Sequence, residues 1–293
     1  YNKRFMKSTN NSYVYHGYHK KTRENVILKY IPLQGENPQI DQECSIQQSI
    51  KYKYIMPVQT IFELDNKYRV LVMEVAKGSL ISGFAEHFFH SPLQVYKIMY
   101  QIAKGVKYLH SNDILHGDIK PSNIVLMNDD EYMPFPRIID FGHAQSIPNN
   151  SFCDCNRLTE KFSAPEILRG EPHSFPSDIF ALGATFYFLI TEDLITHGAI
   201  SRQSRAQKIE SIHPLQYSHR FGPQFPAIGK ELIKSMLNPD PSLRPTIDDV
   251  LNSIFFTHEV LLDKDWEKKE TEFSNIKVES ITNEVDITDV DNL

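Results

Sequence analysis

The sequence predicts an α+β protein of two unequal lobes, a small sheet-rich lobe followed by a larger helical one. Three observations lead there. The first part of the chain carries short apolar runs and period-two alternation; beyond residue 90 the apolar spacing becomes helical; and one stretch, "PSDIFALGATFYFLIT", is apolar almost all round, which marks a central buried helix.

The elements follow in order. "SYVYHGYHKKTRENVILKYI" has two alternating runs around a polar turn, the pattern of a strand pair. "IDQECSIQQSIKY", opened by Pro38, reads as a helix, and "YRVLVMEV" (Tyr68–Val75) as a buried strand. The character changes at Ala76–Ser79, where Gly78 is expected to relax the chain. This divides the chain into a first lobe over 1–75, a second over 76–256 and an acidic tail over 257–293. In the second lobe "LQVYKIMYQIAKGVKYLH" sets Val95, Ile98, Ile102, Val106 and Leu109 on one helix face. "NIVL" and "RIID" are strand patterns, and "TIDDVLNSIFF" opens with a capping box, Thr246 and Asp249.

Composition narrows the function classes. With 41% hydrophobic residues in 293, the chain can bury a sizeable core. No apolar window is long enough to cross a bilayer, and the opening "YNKRFMKSTN" lacks the apolar core of a signal peptide, so neither a membrane span nor a secretory leader is expected. Three cysteines (Cys44, Cys153, Cys155) make no disulfide framework, which points to an intracellular setting, cytoplasmic or nuclear. Cys153 and Cys155 are read as free thiols. The net charge of −6 lies in the tail, which holds eleven Asp or Glu against four Lys, leaving the preceding body near +1. No basic face favours nucleic acid. The tail also scatters Val278, Ile281, Val285, Ile287 and Val290 among its acids; docking on the domain or a partner and disorder are both open readings.

The chemistry concentrates in "ILHGDIKPSNIVL", a loop between a long helix and a strand that carries Asp118, Lys120 and Asn123. Downstream come Asp140-Phe141-Gly142 at the end of a strand and Ala164-Pro165-Glu166; upstream, "NVILK" ends on Lys29 and the first helix carries Glu43. Singly, each has an ordinary explanation: a turn, a solvated acid, a snorkelling lysine. In this order and setting they resemble the protein-kinase signature set, over roughly Phe5 to Phe256.

The resemblance implies the bilobal kinase fold, ATP and Mg2+ as cofactors, and a protein substrate or a regulatory protein partner. It implies that Asp118 takes the proton of the acceptor hydroxyl and that Lys120 neutralises charge on the transferring phosphoryl group. Asn123 and Asp140 match magnesium ligands; Lys29 matches the lysine on the α- and β-phosphates, paired with Glu43 in a partly solvated ion pair. Lys120, two positions after Asp118, resembles the serine/threonine type. Thr159 matches the hydroxyl that links the substrate loop to the catalytic aspartate. Glu166 and Arg244 resemble the brace of the large lobe, and Asp178 the residue that fixes the catalytic loop. Met73 falls at the gatekeeper position, with Glu74 to Ala76 as the adenine hinge, Ile27 above the ring, and Val14 and Val125 as further cofactor-binding positions.

Four positions depart from the family pattern. Lys7, Thr9 and Ser12 stand at the three glycines of the nucleotide lid, where side chains obstruct close approach of backbone amides to phosphate. Ile27 replaces the usual alanine over adenine. Gly117 replaces the arginine before Asp118, leaving Asp154 as a fixed negative charge in the activation loop. Gln47 stands where an apolar residue stacks between the lobes. Three readings follow: an active serine/threonine kinase with a divergent lid, a pseudokinase acting as scaffold or allosteric partner, and a small-molecule kinase. Thr159 and Ala164-Pro165-Glu166 argue against the last, and joint retention of the six polar residues favours the first.

Overall fold

The computed structural model describes residues 2–9, 12–20, 22–33, 38–85, 89, 91–127, 135–148, 151–153, 159–210, 215–217, 221–262, 266 and 268. Asn10, Asn11, Asp154, Cys155 and the tail apolars from Val278 on lie outside them.

The first lobe is a five-stranded antiparallel sheet in the order β1-β2-β3-β5-β4. Its strands are β1 (Asn2–Thr9), β2 (Ser12–Tyr18), β3 (Asn25–Pro32), β4 (Val58–Leu64) and β5 (Tyr68–Glu74). Alternation gives the sheet two faces. Val26, Leu28, Tyr30, Val70 and Val72 form a buried cluster on one. On the other, directly opposed pairs Val14–Lys29, Lys29–Leu71 and Ile27–Met73 share a side. Helix α1 (Pro38–Ser49) packs there, with Ile40 and Cys44 against Ile31 and Leu71. Register therefore puts Lys29 on the same side as the helix that carries Glu43.

The second lobe is built on α3 (Pro92–Ser111) and α5 (Phe175–Thr191), which bury one continuous core with α7 (Ala227–Met236) and α9 (Ile254–Glu259). Ser91 caps α3 in a reciprocal box with Gln94. Gly183 lets α5 and α7 meet closely, since a Cβ there would sit 2.8 Å from Met236 Cβ. Arg244, with no exposed side-chain surface, grips Glu166 on α4 (Pro165–Leu168) through both carboxylate oxygens, at 2.5 and 2.7 Å. A fork-to-fork pair this buried fixes α4 against the rest of the lobe.

The structure departs from the sequence expectations at particular places. Gly78 does not relax the chain: Gly78–Ser79 form a short strand, β6, paired with Leu126 and Val125 of β8 (Ile124–Met127). Strand β5 ends at Glu74, one residue short of Val75. "TIDDVLNSIFF" keeps its capping box but splits into α8 (Ile247–Leu251) and α9, because Ser253 opens a new helix with extended backbone. Beyond α9, Trp266 lies edge-on to Tyr100 of α3 at 5.8 Å, beneath the ammonium of Lys97. Among the described residues no helix is long and apolar enough to cross a membrane.

Candidate active site

Strand β7 (Ile114–Leu115) feeds the catalytic-type loop, and a single 3-10 turn, Pro121–Asn123, returns it into β8. Asp178, in the first turn of α5, holds the loop from below: it accepts the backbone N–H groups of His116 and Gly117, both at 2.9 Å, and contacts His110 Nε2 at 3.1 Å. Burial opposes ionisation of Asp178, but these hydrogen bonds and the nearby histidines outweigh it and hold its carboxyl below the usual range. Gly117 adopts φ +73°, and a Cβ there would meet the His143 carbonyl oxygen at 3.0 Å. Glycine relieves both constraints.

Within the loop, Asp118 Oδ2 accepts from Lys120 Nζ (2.6 Å) and from Asn123 Nδ2 (2.8 Å), which also donates to the Asp118 carbonyl at 2.9 Å. Lys120 Nζ donates to Thr159 Oγ1 at 2.7 Å. Thr159 thus reaches Asp118 through Lys120 rather than directly, a refinement of the sequence reading. With Oδ2 doubly committed, Oδ1 is the Asp118 oxygen left for an incoming hydroxyl. Asn123 spends its amide nitrogen on Asp118, which leaves its carbonyl oxygen for a cation.

Lys29 joins the lobes. Its ammonium donates to Glu43 Oε1 (2.7 Å) and Asp140 Oδ1 (2.8 Å). Burial alone would push the Lys29 ammonium down; the charges of Glu43 and Asp140 overcome it and raise it above its ordinary value. The same ammonium holds Asp140 well below the carboxylate range against the opposing effect of burial. Lys29 and Glu43 are 12% and 8% exposed, so the pair is more deeply enclosed than the partly solvated one expected. Asp140 sits at φ +68°, a left-handed conformation that costs a non-glycine residue about 1–3 kcal/mol. A Cβ at Gly142 would stand 3.4 Å from Glu43 Oε2 and 3.5 Å from Asp140 Oδ1, so glycine leaves room where the two carboxylates converge.

The predicted adenine residues Val14, Ile27, Met73, Ala76 and Val125 are all half-buried, apolar groups that keep part of their surface open. Glu74 is exposed and its carboxylate is committed to Arg137 of β9 (Phe135–Ile138) at 2.6 Å. In the lid, β1 and β2 form a hairpin closed by the Thr9–Ser12 pair, and Lys7 opposes Val14. Gln47 is buried; its Nε2 lies 3.8 Å from Met73 Sδ, while its Oε1 has no hydrogen-bond partner among the described residues. Sequence reasoning missed the Gln42–Gln145 hydrogen bond (2.9 Å) and the Arg137–Glu74 pair. Both join residues far apart in the chain, and no local pattern announces them.

With this geometry in place the comparison with known proteins is direct: the family profile described as "Protein kinase domain" matches residues 8–256. The chain belongs to the protein kinase family. It is 31% identical over 236 residues to the striated muscle preferentially expressed protein kinase of Danio rerio, covering 79% of this chain and 8% of that one. It is 28% identical over 228 residues to the serine/threonine-protein kinase PLK1 of Xenopus laevis, covering 76% and 36%. Against the serine/threonine-protein kinase DCLK3 of Mus musculus it is 22% identical over 236 residues, covering 80% and 30%. The chain spans less than half the length of each of these relatives.

Proposed function

We propose that this kinase domain is active and transfers the γ-phosphoryl group of ATP to a serine or threonine hydroxyl of a protein substrate. The observation that carries the reading is the position of Lys29. It bridges Glu43 of one lobe and Asp140 of the other, while Lys120 bridges Asp118 and Thr159, so both charge networks are formed together. A scaffold has no need of either.

The residues fit magnesium and nucleotide. Among the described residues no cluster of three or more His, Cys, Asp or Glu is placed to hold a metal alone. Mg2+ does not need one, since it takes one or two carboxylates and completes its shell with phosphate oxygens and water. Asp140 and the Asn123 carbonyl oxygen supply that hard, partial donor set, and the bound ion would neutralise charge on the phosphates. Asp118 Oδ1 orients the acceptor hydroxyl and takes its proton. Lys120 stabilises charge on the group in flight, and Thr159 seats Lys120. Lys29 would hold the nucleotide phosphates, Glu43 orients Lys29, and Val14, Ile27, Met73 and Val125, with the Glu74–Ala76 segment, would hold the base. The lobes divide at 75/76, with the acidic tail from 257 on. The contact of Trp266 with Tyr100 supports docking of that tail on the domain. Three cysteines without a disulfide framework support an intracellular site of action.

A second reading, the pseudokinase, draws support from the sequence: Ile27 takes the place of the alanine over the base, and Lys7, Thr9 and Ser12 take the places of the three lid glycines, that the kinase resemblance implies. A thermal-shift titration with ATP, with and without magnesium, tests between them. A midpoint that climbs with ATP only when magnesium is present supports the enzyme; no shift at millimolar nucleotide overturns it.

A further inference from the structure

Helix α1 is tied to the segment after Asp140 twice. One tie is ionic, Glu43–Lys29–Asp140. The other is neutral: Gln42 Nε2 donates to Gln145 Oε1 at 2.9 Å. Gln42 adjoins Glu43 in the chain, and Gln145 belongs to β10 (Gln145–Ser146), which pairs with Leu115 and Ile114 just before the Asp118 loop. One amide pair therefore connects the helix that orients Lys29 to the backbone that supports Asp118.

Among the described residues, neither position 117 nor helix α1 offers an uncommitted counter-charge to a phosphate on the segment between Ser146 and Thr159. Position 117 is a glycine in a left-handed turn, its Cβ direction blocked by the His143 carbonyl oxygen. Helix α1, "PQIDQECSIQQS", carries Asp41 and Glu43 and no Lys, Arg or His. The cations that pair with α1 are already committed, Lys29 to Glu43 and Asp140, and Arg69 to Asp41 and Glu63 at 2.6 and 2.5 Å. Negative charge added near α1 would meet Asp41 and Glu43, and cations that are already paired.

From these contacts we infer that Gln42 and Gln145 are positioning residues, an uncharged clamp that holds α1 in place so that Lys29 and Glu43 stay paired without phosphorylation of the segment. The clamp does not titrate, and salt does not screen it as it would an ion pair. Its effect on turnover rests on the enzymatic reading proposed above; its effect on α1 does not.

The test uses the full chain, phosphatase-treated and untreated, with Gln42→Ala, Gln145→Ala, the double variant and the charge swap Gln42→Lys/Gln145→Glu. Hydrogen exchange of the α1 amides is read first, since it needs no catalysis. Each single variant should speed α1 exchange, the double should add nothing further, and the swap should restore protection while the global unfolding midpoint stays unchanged. Turnover should follow, with kcat lower by about tenfold in the singles, restored in the swap, and KM for ATP little altered. Phosphatase treatment should change neither reading. Unaltered α1 exchange in both singles overturns the clamp, as does faster exchange after phosphatase treatment. If the exchange pattern appears but the unmodified chain transfers no phosphate, the clamp stands and the proposed enzymatic function falls.

Discussion

Ile27 stands directly opposite Met73 in the β3–β5 ladder, on the sheet face that carries Lys29, and both side chains are half-buried. On the proposed nucleotide-binding reading, an isoleucine there occupies space above the base that a smaller side chain would leave open. Ile27→Ala should tighten ATP binding, because it removes bulk without removing a polar contact. It should also destabilise the domain by about 1–2 kcal/mol, less than the ~2–5 kcal/mol of a fully buried isoleucine. Calorimetric ATP titration and thermal unfolding of the same variant check both. A variant that loses stability and affinity together would show that Ile27 packs the sheet and does not narrow the site.

Lys29→Met should abolish phosphoryl transfer. The enclosure of the pair adds a second expectation: Met leaves the Glu43 carboxylate buried without its cation, which costs about 3–5 kcal/mol when a buried pair is broken from one side. The double variant Lys29→Met/Glu43→Leu should recover most of that stability and none of the transfer. Denaturant unfolding and a transfer assay on the two variants decide it; full activity in Lys29→Met would contradict the role assigned to Lys29.

The depressed Asp140 carboxyl links stability to pH. Its folded pKa lies below the unfolded value of about 3.9, so the folded state favours the ionised form and the stabilisation is fully present above pH ~5. As pH falls below about 4 the unfolded state binds the proton first and the stabilisation is progressively lost. The stability difference between the unmodified chain and Asp140→Asn should be level from pH 5 to 8 and shrink below about 4. A difference that grows on acidification would reverse the sign and remove the Lys29–Asp140 pair from the account.

Gln47→Leu should stabilise the domain. The buried Oε1 lacks a partner among the described residues, a deficit of about 1–3 kcal/mol that an apolar side chain of similar length does not carry. A higher unfolding midpoint with ATP affinity retained is the expected result. A lower midpoint would mean that the contact of Gln47 with Met73 Sδ outweighs the orphan acceptor.

Much of this was legible in the sequence, for reasons that differ by element. Helices α3 and α5 announce themselves through apolar spacing and all-round burial, and Asp118, Asn123, Asp140, Glu166 and Arg244 through their order and loop context. Strand β1, "NKRFMKST", was not legible: its polar residues form a strand because β2 offers a pairing edge, which is a tertiary cause. Strand β4 was missed as well, for "VQTIFEL" has only a short apolar pattern and gains its strand from β5. The split between α8 and α9 depends on the backbone at Ser253 rather than on apolar periodicity. Lys29 meets Asp140 across 111 positions of chain, so the degree of burial of that network could not be read from either neighbourhood.

The most direct test of the central claim is transfer itself. The full chain would be incubated with γ-labelled ATP and magnesium, alone and with mixed protein substrates, beside Asp118→Asn, which preserves shape and removes the proposed acceptor of the proton. The account predicts label on serine or threonine with the unmodified chain and a loss of at least about a hundredfold in rate with the variant. Equal labelling by the two proteins, or none by the unmodified chain at saturating ATP and magnesium, would contradict it.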